Sequence, residues 1–220
     1  MARCTKEEAL ETRSRILDAA EQVFHANGVA RTSLADVAEA ANVTRGAIYW
    51  HFKNKTDLLE AMCDRVRLPM EAMIAEMTDA SVADPLGQMR ATCVFVLRDM
   101  VSDPHARTVL DIMFHKCEFV DAYDLIALRQ RECFARGRDN FERAITNAVA
   151  RRQLPAETDV KLACIMFHAA IDGLLNTWLF APDSFDMAAN AERLVDACIA
   201  TLKHASSLLV PQAPKLEHAA

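Results

Sequence analysis

Residues 32–55, TSLADVAEAANVTRGAIYWHFKNK, constrain this chain more than any other stretch. Ser33 is a good helix N-cap, and Asp36 stands three residues on, where the acid of a capping box belongs. Leu34, Val37, Ala38 and Ala41 recur at helical spacing and predict one apolar face. That helix has to end near Asn42, because asparagine tolerates the left-handed conformation a tight turn needs. Thr44 caps the next helix, with Val43 and Ile48 forming a hydrophobic staple across the cap. This is the layout of a helix-turn-helix, whose second helix fits the major groove of DNA.

The outward side of that second helix carries Arg45, Gly46, Tyr49, Trp50 and His51. A glycine inside a helix costs about 1 kcal/mol against alanine. Gly46 therefore serves either a close approach to a phosphate or base edge, or a helix too short for propensity to matter. Arg45, near the helix start, can grip guanine O6 and N7 with both arms. Tyr49, Lys53 and Lys55 suit phosphates, as do the backbone N–H groups at the helix starts marked by Thr32, Ser33 and Thr44. Adjacent aromatics cannot both face a core, so at least one of Tyr49 and Trp50 is expected outside. Arg3, Lys6 and Arg13 can line the same side, and the polar arm 1–7 is open to two readings, a DNA-contacting arm or a frayed terminus.

Residues 10–58 resemble the N-terminal domain of TetR-family repressors, through RILDAAEQVFHANGVARTSLADVAEAANVTRGAIYWHFKNKTDLL and above all the run VTRGAIYWHFKNK. The opening residues 1–11 and the later stretch FHKCEF at 114–119 are similar to the subgroup typified by AcrR and TtgR. The resemblance is strong at the N-terminus and looser beyond residue 70. It implies a repressor of a drug-efflux operon.

A chain of 220 residues with 52 % hydrophobic content has ample material for a core. Glycine is scarce, at five, and β-branched runs are short, so the fold class is all-α. The net charge of -6 argues against a generally basic nucleic-acid coat but leaves room for a local basic face. Seven scattered cysteines without a CxxC fit reduced thiols of a cytoplasmic protein. No signal peptide is expected, and no apolar run is expected to reach the roughly 20 residues of a membrane span.

The first helix is expected to start after a Thr5 cap, run to about residue 26 and end at Gly28. Phe24, Val29, Leu34, Val37, Val43, Ile48, Phe52 and Leu58 would close a three-helix core. A fourth helix follows to about residue 78, with a kink or break at Pro69. Asp84-Pro85 and Asp103-Pro104 open helices at about 85–101 and 104–117. A long helix spans about 122–152, with Gly137 marking close packing or an irregularity. Thr158 is expected to cap a helix over about 159–180, and Ser184 or Asp186 one over about 187–204. The expected architecture thus has about nine helices: a DNA-binding domain at 1–55, linked through the fourth helix, a ligand-binding and dimerisation domain at 56–210, and a disordered tail at 211–220.

The last two long helices have more apolar surface than one core needs. Leu174, Trp178, Leu194, Val195, Cys198 and Leu202 are candidates for a two-fold dimer interface, which the resemblance also implies. The middle helices supply Met70, Met73, Met89, Cys93, Val96, Leu110, Met113, Phe114, Cys117, Phe134, Phe141, Phe167, Ile171 and Leu175. These make either an ordinary core or a site for apolar or aromatic inducers such as antibiotics and plant phenolics. His168 and Asp172, four apart on an apolar helix, would orient such a ligand, and the resemblance places an acid at the position of Asp172. Where some relatives carry polar groups, Leu110 and Phe114 are apolar. Cys164, His168 and Asp172 share a face, but the outer two lie about 12 Å apart along the axis, too far for one ion. Neither a metal nor another cofactor is expected, nor an enzyme. Two alternatives remain open: a redox sensor triggered at Cys117 or Cys133, and a helical enzyme carrying an interaction module. The leading expectation is a homodimeric repressor on double-stranded operator DNA, cytoplasmic and not at a membrane.

Overall fold

The computed structural model describes residues 6–117 and 125–211, and these are helical almost throughout. A head is formed by α1 (Lys6–Asn27), α2 (Leu34–Ala40), α3 (Arg45–His51) and α4 (Lys55–Arg67). The remainder is α5 (Glu71–Thr78), α6 (Pro85–Ser102), α7 (Pro104–Asp111), α8 (Leu125–Ala150), α9 (Val160–Phe180) and α10 (Met187–His204). With α4 and α5 taken as halves of one bent helix, the described residues form nine helices, matching the all-α arrangement of about nine that the sequence predicts. Among the described residues the β structure is limited to an isolated bridge between Thr158 and Leu209.

Local chemistry sets the head. Ser33 Oγ accepts from Asp36 N–H at 3.2 Å while Asp36 accepts from Ser33 N–H at 2.8 Å, closing the capping box. Asn42 takes φ 53 and turns the chain, and Gly28 ends α1 at φ 82. Thr44 Oγ1 accepts from Ala47 N–H at 3.1 Å and starts α3. Ile16, Phe24, Ile48, Phe52 and Leu58 are all but sealed from solvent. Each such side chain contributes about 1.5–3 kcal/mol of transfer free energy.

Pro69 breaks the fourth helix as expected. It has no N–H for the carbonyl four residues back, and its ring crowds that carbonyl. The ladder tightens into a 3-10 turn at Leu68–Met70, where Glu71 N–H donates to Leu68 O, and then resumes as α5.

Three expectations need correction. Asp159, not Thr158, caps α9, its carboxylate accepting from Leu162 N–H. Thr158 is instead buried, and its hydroxyl donates to Pro155 O. The helix from Pro104 keeps α geometry only to Asp111 and then widens to a π turn at Ile112–Lys116. The long helix ends at Ala150, and Arg152 turns away at φ 59. Asp186 caps α10, which resolves the choice with Ser184. The start of the long helix before residue 125, the Thr5 cap and the tail over 212–220 lie outside the described residues.

The head and the remainder share one junction. Val109 and Ile112 are buried inside the head's own core, and Met113 packs against it. Val29 N–H donates to Lys116 O at 2.9 Å. Glu21 on α1 is buried, accepts from Arg65 on α4 at 3.2 Å, and pairs with His105 Nδ1 on α7 at 2.6 Å. Arg65 also donates to Asp18 at 2.6 Å and Ser14 at 3.1 Å. None of this network was expected from sequence.

The hydrogen bond to Glu21 raises the pKa of His105 above its ordinary value, against some desolvation. A raised folded-state pKa adds stability that is full below the unfolded pKa of about 6.5 and fades as pH rises through the folded one. His105→Ala should therefore lower the melting temperature more at pH 6 than at pH 9. Equal losses at both pH values would show that the Glu21–His105 contact contributes no linkage.

Candidate functional site

The short α3 presents the candidate reading face. Tyr49 is 58 % and Trp50 72 % exposed, so both aromatics lie outside, while Ile48 between turns is fully buried. Arg45 and Gly46 are exposed beside them. A Cβ on Gly46 would meet only Thr44 Oγ1 among the described residues, at 3.9 Å, so none of them demands a glycine there. His51 is half-buried, with its ring edge-on to Trp50 at 4.6 Å. Burial, helped by the nearby Arg13, lowers its pKa, which keeps the imidazole neutral at pH 7. Lys53 and Ser33 are exposed on the same head.

The other candidates for this face are placed differently. Thr32 is buried, and its hydroxyl donates to Gly28 O at 2.8 Å. Lys55 turns inward, and its ammonium donates to Val29 O, Ala30 O and Thr32 O at 2.6, 3.2 and 3.0 Å. Three donors on three carbonyls leave nothing for a phosphate. Arg13 sits over the Phe52 ring, 5.1 Å from its centroid, as a cation–π contact. Arg3 lies outside the described residues.

The candidate effector residues do not all gather in one place. Met89, Cys93, Phe167, Ile171 and Leu175 are buried in the core of the C-terminal part, with Val96, Leu110 and Phe141 packed against them. Met113 and Cys117 pack on the head instead. Met70 and Met73 are partly exposed along the bend and α5. Phe114 is 39 % and Phe134 55 % exposed. His168 is buried, and its Nε2 lies 3.5 Å from Asp172 Oδ2. Burial pushes the Asp172 carboxyl above the ordinary carboxylate range, with His168 opposing. Gly137 faces His168, and a Cβ there would stand 3.5 Å from Nε2, an ordinary van der Waals contact.

The dimer candidates need correction. Trp178, Val195 and Leu202 are buried within the protomer's own core, so no partner can reach them. Leu174, Leu194 and Cys198 are partly buried against that core. The free apolar stripe of α9 is a different one. It runs through Leu162 and Ile165, 43 % and 58 % exposed, then Ala169 and Gly173, to Phe180 at 82 %. Sequence spacing showed that α9 is apolar on two faces, but not which face the protomer itself uses. The helix is in fact long and apolar enough to cross a membrane by length and composition, at mean hydropathy 1.4, contrary to expectation. Here it packs along α8 and α10 with His168 and Asp172 at its middle.

Burial pushes the Cys63 and Cys93 thiols up to about 12, far from the thiolate an oxidant attacks. Cys164 donates to Arg138 O at 3.3 Å. Asp18, Glu21 and His105 converge closely enough for a metal ion, but the Arg65 guanidinium already bridges the two carboxylates there.

The family model for bacterial regulatory proteins of the tetR family matches residues 16–62. That for the C-terminal region of MAATS-type transcriptional repressors matches 84–204. The chain is 41 % identical over 208 residues to the HTH-type transcriptional regulator TtgR of Pseudomonas putida, covering 94 % of this chain and 99 % of that protein. Among solved structures it is similar to NalD, the secondary repressor of the MexAB-OprM multidrug efflux pump in Pseudomonas aeruginosa. That match has TM-score 0.80 and 33 % identity, covering 91 % of this chain and 100 % of that one. It is similar too to a complex of SmeT with triclosan, at TM-score 0.78 and 31 % identity, covering 92 % and 96 %.

The inward turn of Lys55 has a measurable consequence. Lys55→Met should lower the unfolding free energy in urea by about 1.5–3 kcal/mol, the scale of hydrogen bonds from a charged donor. The slope of log affinity for DNA against log salt should stay unchanged, whereas loss of one phosphate contact would reduce it by about 0.9.

Proposed function

Because the chain belongs to the TetR family of bacterial regulatory proteins, we propose that it is a homodimeric repressor of a multidrug efflux operon, released from its operator by small apolar or aromatic drugs. The observation that carries this reading is the face of α3. Two large aromatics and an arginine stand in water on a helix whose opposite side is locked into a rigid core. Gly46 among them has no packing reason among the described residues, and its bare backbone suits close approach to a phosphate. Arg45 reads a guanine edge, while Tyr49, Lys53 and the exposed start of α3 at Thr44 hold the DNA backbone. The family is one of transcriptional regulators rather than enzymes. Its work is done where the chromosome lies, in the cytoplasm.

A single α3 is a weak reader, and two copies are set by a dimer. The stripe Leu162, Ile165, Ala169, Gly173 and Phe180 is the surface we assign to it, with small residues at the centre to let two α9 helices approach closely. Residues 1–55 then act as the DNA-binding domain and 56–210 as the effector and dimerisation domain, joined through α4 and through α7. A drug of the kind SmeT binds, triclosan among them, would enter near Phe141, Phe167, His168 and Asp172 and favour a conformer with the two heads wrongly spaced. A 100-fold preference for that conformer supplies about 2.7 kcal/mol.

Two experiments test the reading. Arg45→Ala and Tyr49→Ala should each weaken binding to the DNA flanking the gene by about 10-fold or more, with the dimer unchanged in sedimentation. Unaltered DNA affinity in both would remove α3 as the reader. Ile165→Arg should yield a folded monomer that has lost high-affinity DNA binding. A persistent dimer would place the interface elsewhere.

A further inference from the structure

His168 is out of keeping with its surroundings. Its side chain is only 9 % exposed, and its Nδ1 is buried with no hydrogen-bond partner among the described residues. Buried polar atoms are nearly always paired, because an unpaired one forfeits its hydration for nothing. The ring is nevertheless held with care. Phe134 stacks on it with centroids 4.7 Å apart and planes 23° from parallel, and Phe141 stands 5.3 Å away. Gly137 faces its Nε2–Cε1 edge, where a Cβ would make ordinary contact at 3.5 and 3.6 Å. Phe134, Gly137 and Phe141 share one face of α8, so the helix forms a slot fitted to an imidazole.

Asp172, one turn further along α9, stands 3.5 Å from Nε2. A carboxylate beside Nε2 favours the proton on that nitrogen, and the neutral ring then carries a bare lone pair at Nδ1. The orphaned atom is therefore an acceptor awaiting a donor. Phe134, stacked on the ring face, is itself 55 % exposed, so this wall of the slot is weakly held. Around it Phe141 meets Phe167 at 5.3 Å, an environment that suits a planar ring.

We propose that His168 Nδ1 is the polar anchor of the effector site, accepting a hydrogen bond from the hydroxyl of a phenolic effector held among Phe134, Phe141 and Phe167. The proposal rests on the reading of this domain as drug-binding. It makes His168 a specificity residue that separates phenols from their ethers. Both fill the same apolar space, but only the phenol satisfies Nδ1.

Calorimetry on the full-length protein with triclosan and its methyl ether tests this. The wild type should prefer the phenol by about 10-fold or more. His168→Phe keeps the stack but removes the acceptor, and should bring the preference to about two-fold or less while retaining affinity for the ether. Nitrogen NMR of labelled histidine in the wild type gives a second readout that needs no variant. The Nδ1 resonance should move with triclosan and not with the ether. Equal affinity of the wild type for the two compounds, an unmoved resonance, or a preference that survives in His168→Phe overturns the anchor and leaves drug binding standing. Binding of neither compound by the wild type overturns both.

Discussion

A carboxylate left with 4 % exposure has to be paired, and Glu21 decides where the two parts of this chain meet. Its oxygens are held by Arg65 of α4 and His105 of α7. The remaining donors of Arg65 go to Asp18 and Ser14, back on α1. Three helices are thus tied at one point, and removing any member would leave a buried charge short of a partner. Val109 and Ile112 add apolar weight to the same joint by entering the head's core. The head is therefore not a bead on a string. It shares its interior with the domain that would sense the drug.

This joint alters how a signal can travel. Pro69 bends the fourth helix as the sequence suggests, but α4 is not the sole link. The π turn at Ile112–Lys116 gives a second one, with Lys116 O accepting from Val29 N–H. Asp111 at the end of α7 lies 3.1 Å from His25 on α1 and 2.7 Å from His115, whose other ring nitrogen is 2.9 Å from Asn176 on α9. A chain of polar contacts therefore runs from the helix bearing the candidate dimer stripe to the last turn of the head's first helix. A π turn is an irregular, weakly bonded piece of backbone, so it is a natural place for two arrangements to exchange.

The legible part of the molecule was the part built from near neighbours. Ser33 with Asp36, Asn42 at positive φ, Thr44 with Ala47 and the break at Pro69 involve partners within four residues. Such signals survive reading one residue after another, and so the helix-turn-helix and its outward Arg45, Tyr49 and Trp50 could be placed in advance. Composition and helical period were enough for the all-α class and for a large apolar second domain.

Where long-range packing chooses between equal faces, the sequence was silent. Lys55 reads as a surface cation, yet its partners lie 23 to 26 residues away and draw it inward. Trp178, Val195 and Leu202 read as well for a partner as Ile165 and Ala169 do, and only the packing of α6, α8 and α10 shows which set the protomer has already used. His168 and Asp172 could be named as a polar pair, but the orphaned Nδ1 and the stack with Phe134 of another helix show only in the fold. The sequence by itself determined the helix-turn-helix and its outward face, because caps and turns act through adjacent residues. Tertiary structure alone decided the joint, the free face and the anchor, because each is a meeting of side chains that only the fold brings together.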